Sequence, residues 1–168
     1  MPTATNPNRT GAIRIQVALI GCNHRTAPVE LRERIVFTSQ QALQAADELK
    51  ERGILEEAVV FSTCNRSELY GVPGDFAPST AEAMEEYFTS FHKIPRDELK
   101  GRFYRWAGPD AVRHLFRVAA SLDSMLLGEA EILGQVRDAY QTAFEYGATG
   151  PVLNRIWASG REENSDKT

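Results

Sequence analysis

The chain is short of several things, and each shortage excludes a class of protein. Two cysteines in 168 residues cannot build a disulfide framework, and a chain this long can bury a core without one. No run of about 18 apolar residues occurs, so nothing reads as a membrane span. Residues 1–11 carry Pro, Asn, Thr and Gly but no apolar stretch, which excludes a secretory signal. Positive charge is not in excess. Nineteen Lys and Arg against 23 Asp and Glu leave −4, so any nucleic-acid contact needs a local basic patch. Neither G-x-G-x-x-G after a strand nor G-x-x-x-x-G-K-[ST] occurs, so no recognisable motif encodes a nucleotide site. Repeats and low-complexity segments are lacking too. With 42% hydrophobic and 25% charged residues, a one-domain cytoplasmic globular protein is the class that remains.

What is present divides by periodicity. Residues 1–11 read as a disordered arm. Ile13, Ile15, Val17 and Leu19 alternate with more polar neighbours, the period of a strand, which Gly21 is expected to end. A polar loop follows, and Pro28 opens a short helix over 29–34. Thr38 or Ser39 caps a helix over 40–52, stopped by Gly53. Strands follow at 58–62 and 67–72, and Pro73-Gly74 breaks the chain. Ser79 caps a helix to about His92, which is placed to complete the helix dipole. Pro95 ends that pattern, and Phe103 to Trp106 form one more strand. The order β-α-β-β-α-β predicts an α+β fold, the ferredoxin-like split βαβ sheet, with one face buried under two helices. Additional C-terminal helices are predicted over 109–121, 129–146 and 151–158, packed against or beside the sheet, and residues 159–168 form a polar, fraying tail.

The reactive side chains gather at 22–26, 62–66 and 114–135. Cys64 stands at the mouth of a strand, with Ser62 and Thr63 before it and Arg66 after it. The thiolate is the nucleophilic form of cysteine, and nearby positive charge favours it; the other reading is a small buried hydrophobe. His114, between Arg113 and Arg117, is a candidate general base, since imidazole titrates near neutral pH; the other reading is a helix-surface histidine. Cys22, His24, Cys64 and His114 are ligand types that zinc accepts, but their spacing fits no known finger or ribbon, and no metal is assigned. Glu129 and Glu131 read as the solvated acidic start of an amphipathic helix.

Three segments, GCNHRTAPVELRER at 21–34, STCNRSELY at 62–70 and AVRHLFRVAASLDSMLLGEAEILGQV at 111–136, together resemble glutamyl-tRNA reductase. They keep that family's order and spacing, and the resemblance covers residues 12–158 as its N-terminal catalytic domain. It implies that the Cys64 thiolate attacks the aminoacyl ester of glutamyl-tRNA(Glu), with His114 also catalytic. NADPH then reduces the thioester to glutamate-1-semialdehyde, on the route to 5-aminolevulinate and tetrapyrroles. Carried over by position, Thr63, Asn65, Arg66, Ser124, Glu129, Ala130, Glu131 and Gln135 bind substrate, and Asn23, His24 and Arg25 form another signature loop. Arg66 suits a carboxylate, because a guanidinium binds one bidentately.

Two positions depart from the family pattern, Ser121 where Gly is usual and Glu131 where Gln is common. A full reductase continues into an NADPH-binding domain and a dimerisation domain, and neither is expected within this chain. The thioester would then form here and be lost to water, with oligomeric state left open. The downstream glutamate-1-semialdehyde aminomutase is an implied partner. The alternative is a non-catalytic or regulatory module that binds charged tRNA, a pathway partner, or haem through Cys22, His24 and Cys64. Arg102, Arg105, Arg113 and Arg117 are candidates for holding the tRNA, against the plainer reading of solvated helix faces.

Overall fold

A computed structural model describes residues 16–74, 79–119 and 131–165; the expected arm over 1–11 lies outside them. Four strands, β1 (Ala18–Asn23), β2 (Glu57–Ser62), β3 (Arg66–Val72) and β4 (Tyr104–Ala107), form one sheet in the order β2-β3-β1-β4. Every neighbouring pair is antiparallel. With α1 (Val29–Arg34), α2 (Ser39–Glu51) and α3 (Ser79–Phe91) as connections, this is the split βαβ arrangement that the sequence predicts.

Local chemistry explains the element boundaries. Thr38 closes a capping box on α2: its hydroxyl accepts from Gln41 N at 3.1 Å, and Gln41 Oε1 accepts from Thr38 N at 2.9 Å. Gly53 takes φ +69° just past the helix end, where only glycine is unstrained. A four-residue helix absent from the periodicity reading, α4 (Arg96–Leu99), follows Pro95. His92 lies one residue beyond α3, against the rings of Phe37 and Phe88 at 4.4 and 5.1 Å. Burial pushes its pKa down to about 4, so it is neutral at pH 7. The expectation that it completes the helix dipole is corrected: a neutral imidazole brings no charge to the helix end.

The strand expected over 13–19 also differs. Residues 13–15 lie outside the described residues, and β1 passes straight through Gly21 to Asn23. A Cβ at Gly21 would lie 2.8 Å from Glu68 Cγ and from the Tyr104 phenol. Glycine here makes room on the sheet surface; it does not end the strand.

Antiparallel partners share a face. Val59, Tyr70, Leu19 and Trp106 form one cross-strand row, and Phe61, Glu68, Gly21 and Tyr104 the next. This face meets α5 (Pro109–Ala119), α6 (Glu131–Tyr146) and α7 (Pro151–Ser165): Val59, Phe61 and Tyr70 line one apolar pocket with Leu115, Val136 and Leu153. The opposite face carries Val60, Leu69 and Ile20 and packs on α2 and α3. Of the two placements expected for the C-terminal helices, against the sheet or beside it, the structure has the first. β1 and β3 are buried along their whole length, because the C-terminal helices cover the face that two crossover helices leave open.

The carboxylate of Glu57, a buried residue of β2, accepts from Val152 N at 3.2 Å and Leu153 N at 3.0 Å. A negative charge thus meets the positive end of α7. Beside it, Ala58 N donates to Ala148 O at 3.0 Å. The tail expected to fray from residue 159 is helical as far as Ser165. Among the described residues no helix is long and apolar enough to cross a membrane.

Candidate active site

Strand register brings two of the signature loops to one end of the sheet. Asn23, the last residue of β1, pairs with Arg66, the first of β3. After Asn23 the chain turns tightly: Asn23 O accepts from Thr26 N at 3.0 Å and Ala27 N at 2.9 Å, while its side-chain Oδ1 accepts from Arg25 N at 2.9 Å. Between β2 and β3 a second turn is closed by Thr63 N donating to Arg66 O at 2.8 Å, and Asn65 N donates to Thr63 Oγ1 at 3.1 Å.

Cys64 occupies the tip of that turn and is exposed, which removes its reading as a buried hydrophobe. The buried cysteine is Cys22, 0% exposed in the core. Burial first, and then the charge of Glu85, push its thiol up to about 12. Cys22 pairs with Ser67, on the face toward α2 and α3, whereas His114 lies over the opposite face. The four zinc-type ligands therefore do not converge, and haem ligation through Cys22 would need a thiolate inside the hydrocarbon core.

Along β3, Arg66, Glu68 and Tyr70 share the face toward the C-terminal helices. The side chains of Arg66 and Glu68 are both 0% exposed, with Arg66 Nη1 3.1 Å from Glu68 Oε1. The carboxylate that Arg66 holds is thus an internal one. Glu68 also accepts from Tyr104 Oη at 2.6 Å and from the Tyr70 phenol, and it bonds His114 Nε2 at 2.8 Å. Burial alone would raise the Glu68 carboxyl. The hydrogen bond and charge of His114, the Arg66 guanidinium and the Tyr104 phenol together hold it below the usual glutamate range. The same burial, with the Glu68 charge beside them, raises both phenols above the usual tyrosine range.

His114 projects from the second turn of α5 with 10% of its side chain exposed. Tyr104 and Trp106 flank its ring, with centroids 5.2 and 6.4 Å away. The surface-histidine reading is thereby set aside. Glu68, Tyr70 and Tyr104 escaped the sequence reading. The only signal was charge and hydroxyl at alternate positions of a strand, which ordinarily marks the face turned to water.

Of the other candidate residues, Ser124, Glu129 and Ala130 lie outside the described residues, and Glu131 begins α6. Gln135 is exposed and lines a groove of about 190 Å³ between α2, β2 and α6, with Thr38, Ser62 and Asp138. Among the basic candidates, Arg105 forks onto Glu85 at 2.6 and 2.8 Å, Arg113 bonds Asp110 at 2.8 Å, and Arg102 Nε donates to Glu98 O at 2.9 Å. Arg117 is exposed on α5.

Residues 20–160 match the family model described as glutamyl-tRNAGlu reductase, N-terminal domain. The chain is 46% identical over 138 residues to the glutamyl-tRNA reductase of Marinobacter nauticus, and 41% over 142 residues to that of Pelobacter propionicus. These matches cover 82% and 84% of this chain and 32% of each relative. Among solved structures, glutamyl-tRNA reductase from Methanopyrus kandleri aligns with a TM-score of 0.68 at 30% identity, over 90% of this chain and 35% of that one. The chain therefore spans about a third of the length of the relatives it matches.

Proposed function

The chain belongs to the glutamyl-tRNA reductase family, as its N-terminal domain, and we propose that it takes the glutamyl group of glutamyl-tRNA(Glu) as a thioester on Cys64. The observation that carries this reading is an exposed cysteine on a hydrogen-bonded turn, four residues before the buried carboxylate that bonds His114. Cys64 Sγ bonds the ester carbonyl carbon, the carbon–oxygen bond to the terminal ribose breaks, and the tRNA leaves with the proton the thiol gave up. His114 carries that proton. Thr63 and Asn65 present polar groups to the substrate from the turn itself. Arg66, carried over with them by family position, lies buried beneath the turn with its guanidinium 3.1 Å from the Glu68 carboxylate. Ser124, Glu129, Ala130, Glu131 and Gln135 complete the substrate contacts by family position.

NADPH, the hydride donor that the family implies for reducing the thioester to glutamate-1-semialdehyde, does not fit the described residues. The sheet pairs only antiparallel strands, with no parallel βαβ crevice of the kind that holds a dinucleotide. The aldehyde product is reactive, which makes the aminomutase that consumes it the natural downstream partner.

Intact-protein mass after mixing with glutamyl-tRNA at neutral pH tests the reading. A glutamyl adduct on the parent chain, lost in Cys64→Ala, is the expected result. A parent chain that stays unmodified while the tRNA remains charged would overturn it and favour a module that binds without acylation.

A further inference from the structure

The arginines sort by what they bond. Arg34, Arg96, Arg105 and Arg113 each pair with a carboxylate, that of Glu98, Glu86, Glu85 and Asp110 in turn, and those charges cancel. Among the described residues, Arg32 and Arg102 bond main-chain carbonyls and no carboxylate. Arg32 Nη1 donates to Ala27 O at 3.2 Å. Arg102 donates from Nη1 to Thr26 O at 3.5 Å and from Nε to Glu98 O at 2.9 Å. A carbonyl accepts a hydrogen bond without cancelling the charge of its donor. Each guanidinium also keeps further donors to offer, since it carries five N–H groups, and both residues are only half-buried. One turn before Arg32 stand Pro28 and Val29, so that part of its helix face is not acidic. The Glu98 carboxylate, on the residue whose carbonyl Arg102 bonds, is held by Arg34 at 2.6 Å.

Both guanidiniums converge on one loop, and strand register puts that loop beside the candidate nucleophile. Thr26 and Ala27 are adjacent residues of the turn that follows Asn23, and Asn23 pairs with Arg66. Cys64 is exposed on the turn closed by Arg66 O. Neighbouring strands lie about 4.8 Å apart, so loop and turn leave the sheet about one strand spacing from each other. We propose that Arg32 and Arg102 hold backbone phosphates of the RNA whose acyl end reaches Cys64, positioning it without reading its sequence. The inference rests on the acyl-transfer reading above, to which it adds the groups that seat the nucleic acid. A chain of net charge −4 does not attract RNA as a whole, so the attraction comes from cations left uncancelled at the site. Arg105 and Arg113 are thereby set aside as RNA contacts, because Glu85 and Asp110 already cancel their charge.

The affinity for deacylated tRNA(Glu), measured against salt, reads the phosphate contacts apart from any chemistry. Arg32→Gln and Arg102→Gln should each weaken binding roughly tenfold. Each should also lower the slope of log Kd against log salt by about 0.7–0.9, the share of one phosphate contact. Arg32→Lys and Arg102→Lys keep the charge and should keep the slope. Arg96→Gln removes the same unit of charge from α4, but one that Glu86 already cancels, and should change neither affinity nor slope. An equal loss in Arg96→Gln would mark a general charge effect and overturn the inference. Slopes unchanged in Arg32→Gln and Arg102→Gln, or lost equally in their Lys counterparts, would overturn it too.

The parent chain must itself show the salt dependence: an affinity indifferent to salt overturns the inference, whether or not any variant folds. Glutamyl-adenosine carries the ester without a phosphate, and it separates seating from structure. The rate of acylation by glutamyl-tRNA relative to glutamyl-adenosine should fall in both Gln variants. A ratio equal to the parent's would mean a structural role for the two arginines and overturn the inference. A parent chain that binds tRNA with this salt dependence yet forms no glutamyl adduct overturns the acyl-transfer reading instead and leaves the phosphate contacts standing.

Discussion

His92 shows how one side chain can make the domain sensitive to acid. Its ring packs among Phe37, Phe88 and Phe91, and burial lowers its pKa from 6.5 to about 4. Above the unfolded value it is neutral in both states and has no effect on stability. Between about 6.5 and 4 the unfolded chain binds a proton that the native chain refuses, so stability falls with pH. Below about 4 both states are charged and the loss is complete. His92→Phe should flatten the decline in urea midpoint across this window. A variant that keeps the parent's full decline would assign the effect to other groups. The Glu68 carboxyl, held below 4.5, contributes in a lower range and is separable. Residues differed in legibility for the same reason of environment. Cys64 and His114 stand out in the sequence because signature residues surround them. Nothing in composition distinguishes Cys22 from Cys64. The difference is that β1 runs two residues past Gly21 and carries Cys22 into the core.

At the scale of elements, helix boundaries were legible where local chemistry sets them. Pro28 before α1 and the Thr38 capping box fix their helices without help from the rest of the fold. β1 was not, because glycine within a strand ordinarily weakens it or marks a close approach of other groups. Here the approaching groups are Glu68 and Tyr104, brought in by strands 45 or more residues away in sequence. Gly21→Ala would place a methyl 2.8 Å from both side chains. The expected cost is about 1–3 kcal/mol of stability by overpacking, seen as a lower urea midpoint. The same variant should also weaken acylation by displacing the pair that holds His114. Unchanged stability with unchanged acylation would mean that the cluster yields freely to the added carbon.

Taken whole, the fold has one dominant core, with buried residues from Val17, just before β1, to Ile156 on α7. The sequence reading placed the C-terminal helices beside or against the sheet without fixing which face they cover. Their long-range contacts leave no trace in local periodicity. Two tryptophans report on different elements: Trp106 on β4, and Trp157 on α7 stacked on Tyr140 at 4.6 Å. If the core is cooperative, Trp106→Phe and Trp157→Phe should each show urea fluorescence transitions that coincide with the loss of far-ultraviolet ellipticity. An earlier transition from Trp157 would mean that α7 detaches before the sheet melts. The two sheet edges also have a bearing on how such a body behaves among copies of itself. β2 gives its outer Ala58 amide to Ala148 and its Glu57 carboxylate to α7, while β4 is four residues long and fastened by Arg105 to α3. A strand from another molecule finds one margin already occupied and the other too brief to template pairing. The same contacts that seat the last helix therefore guard the sheet against growing from chain to chain.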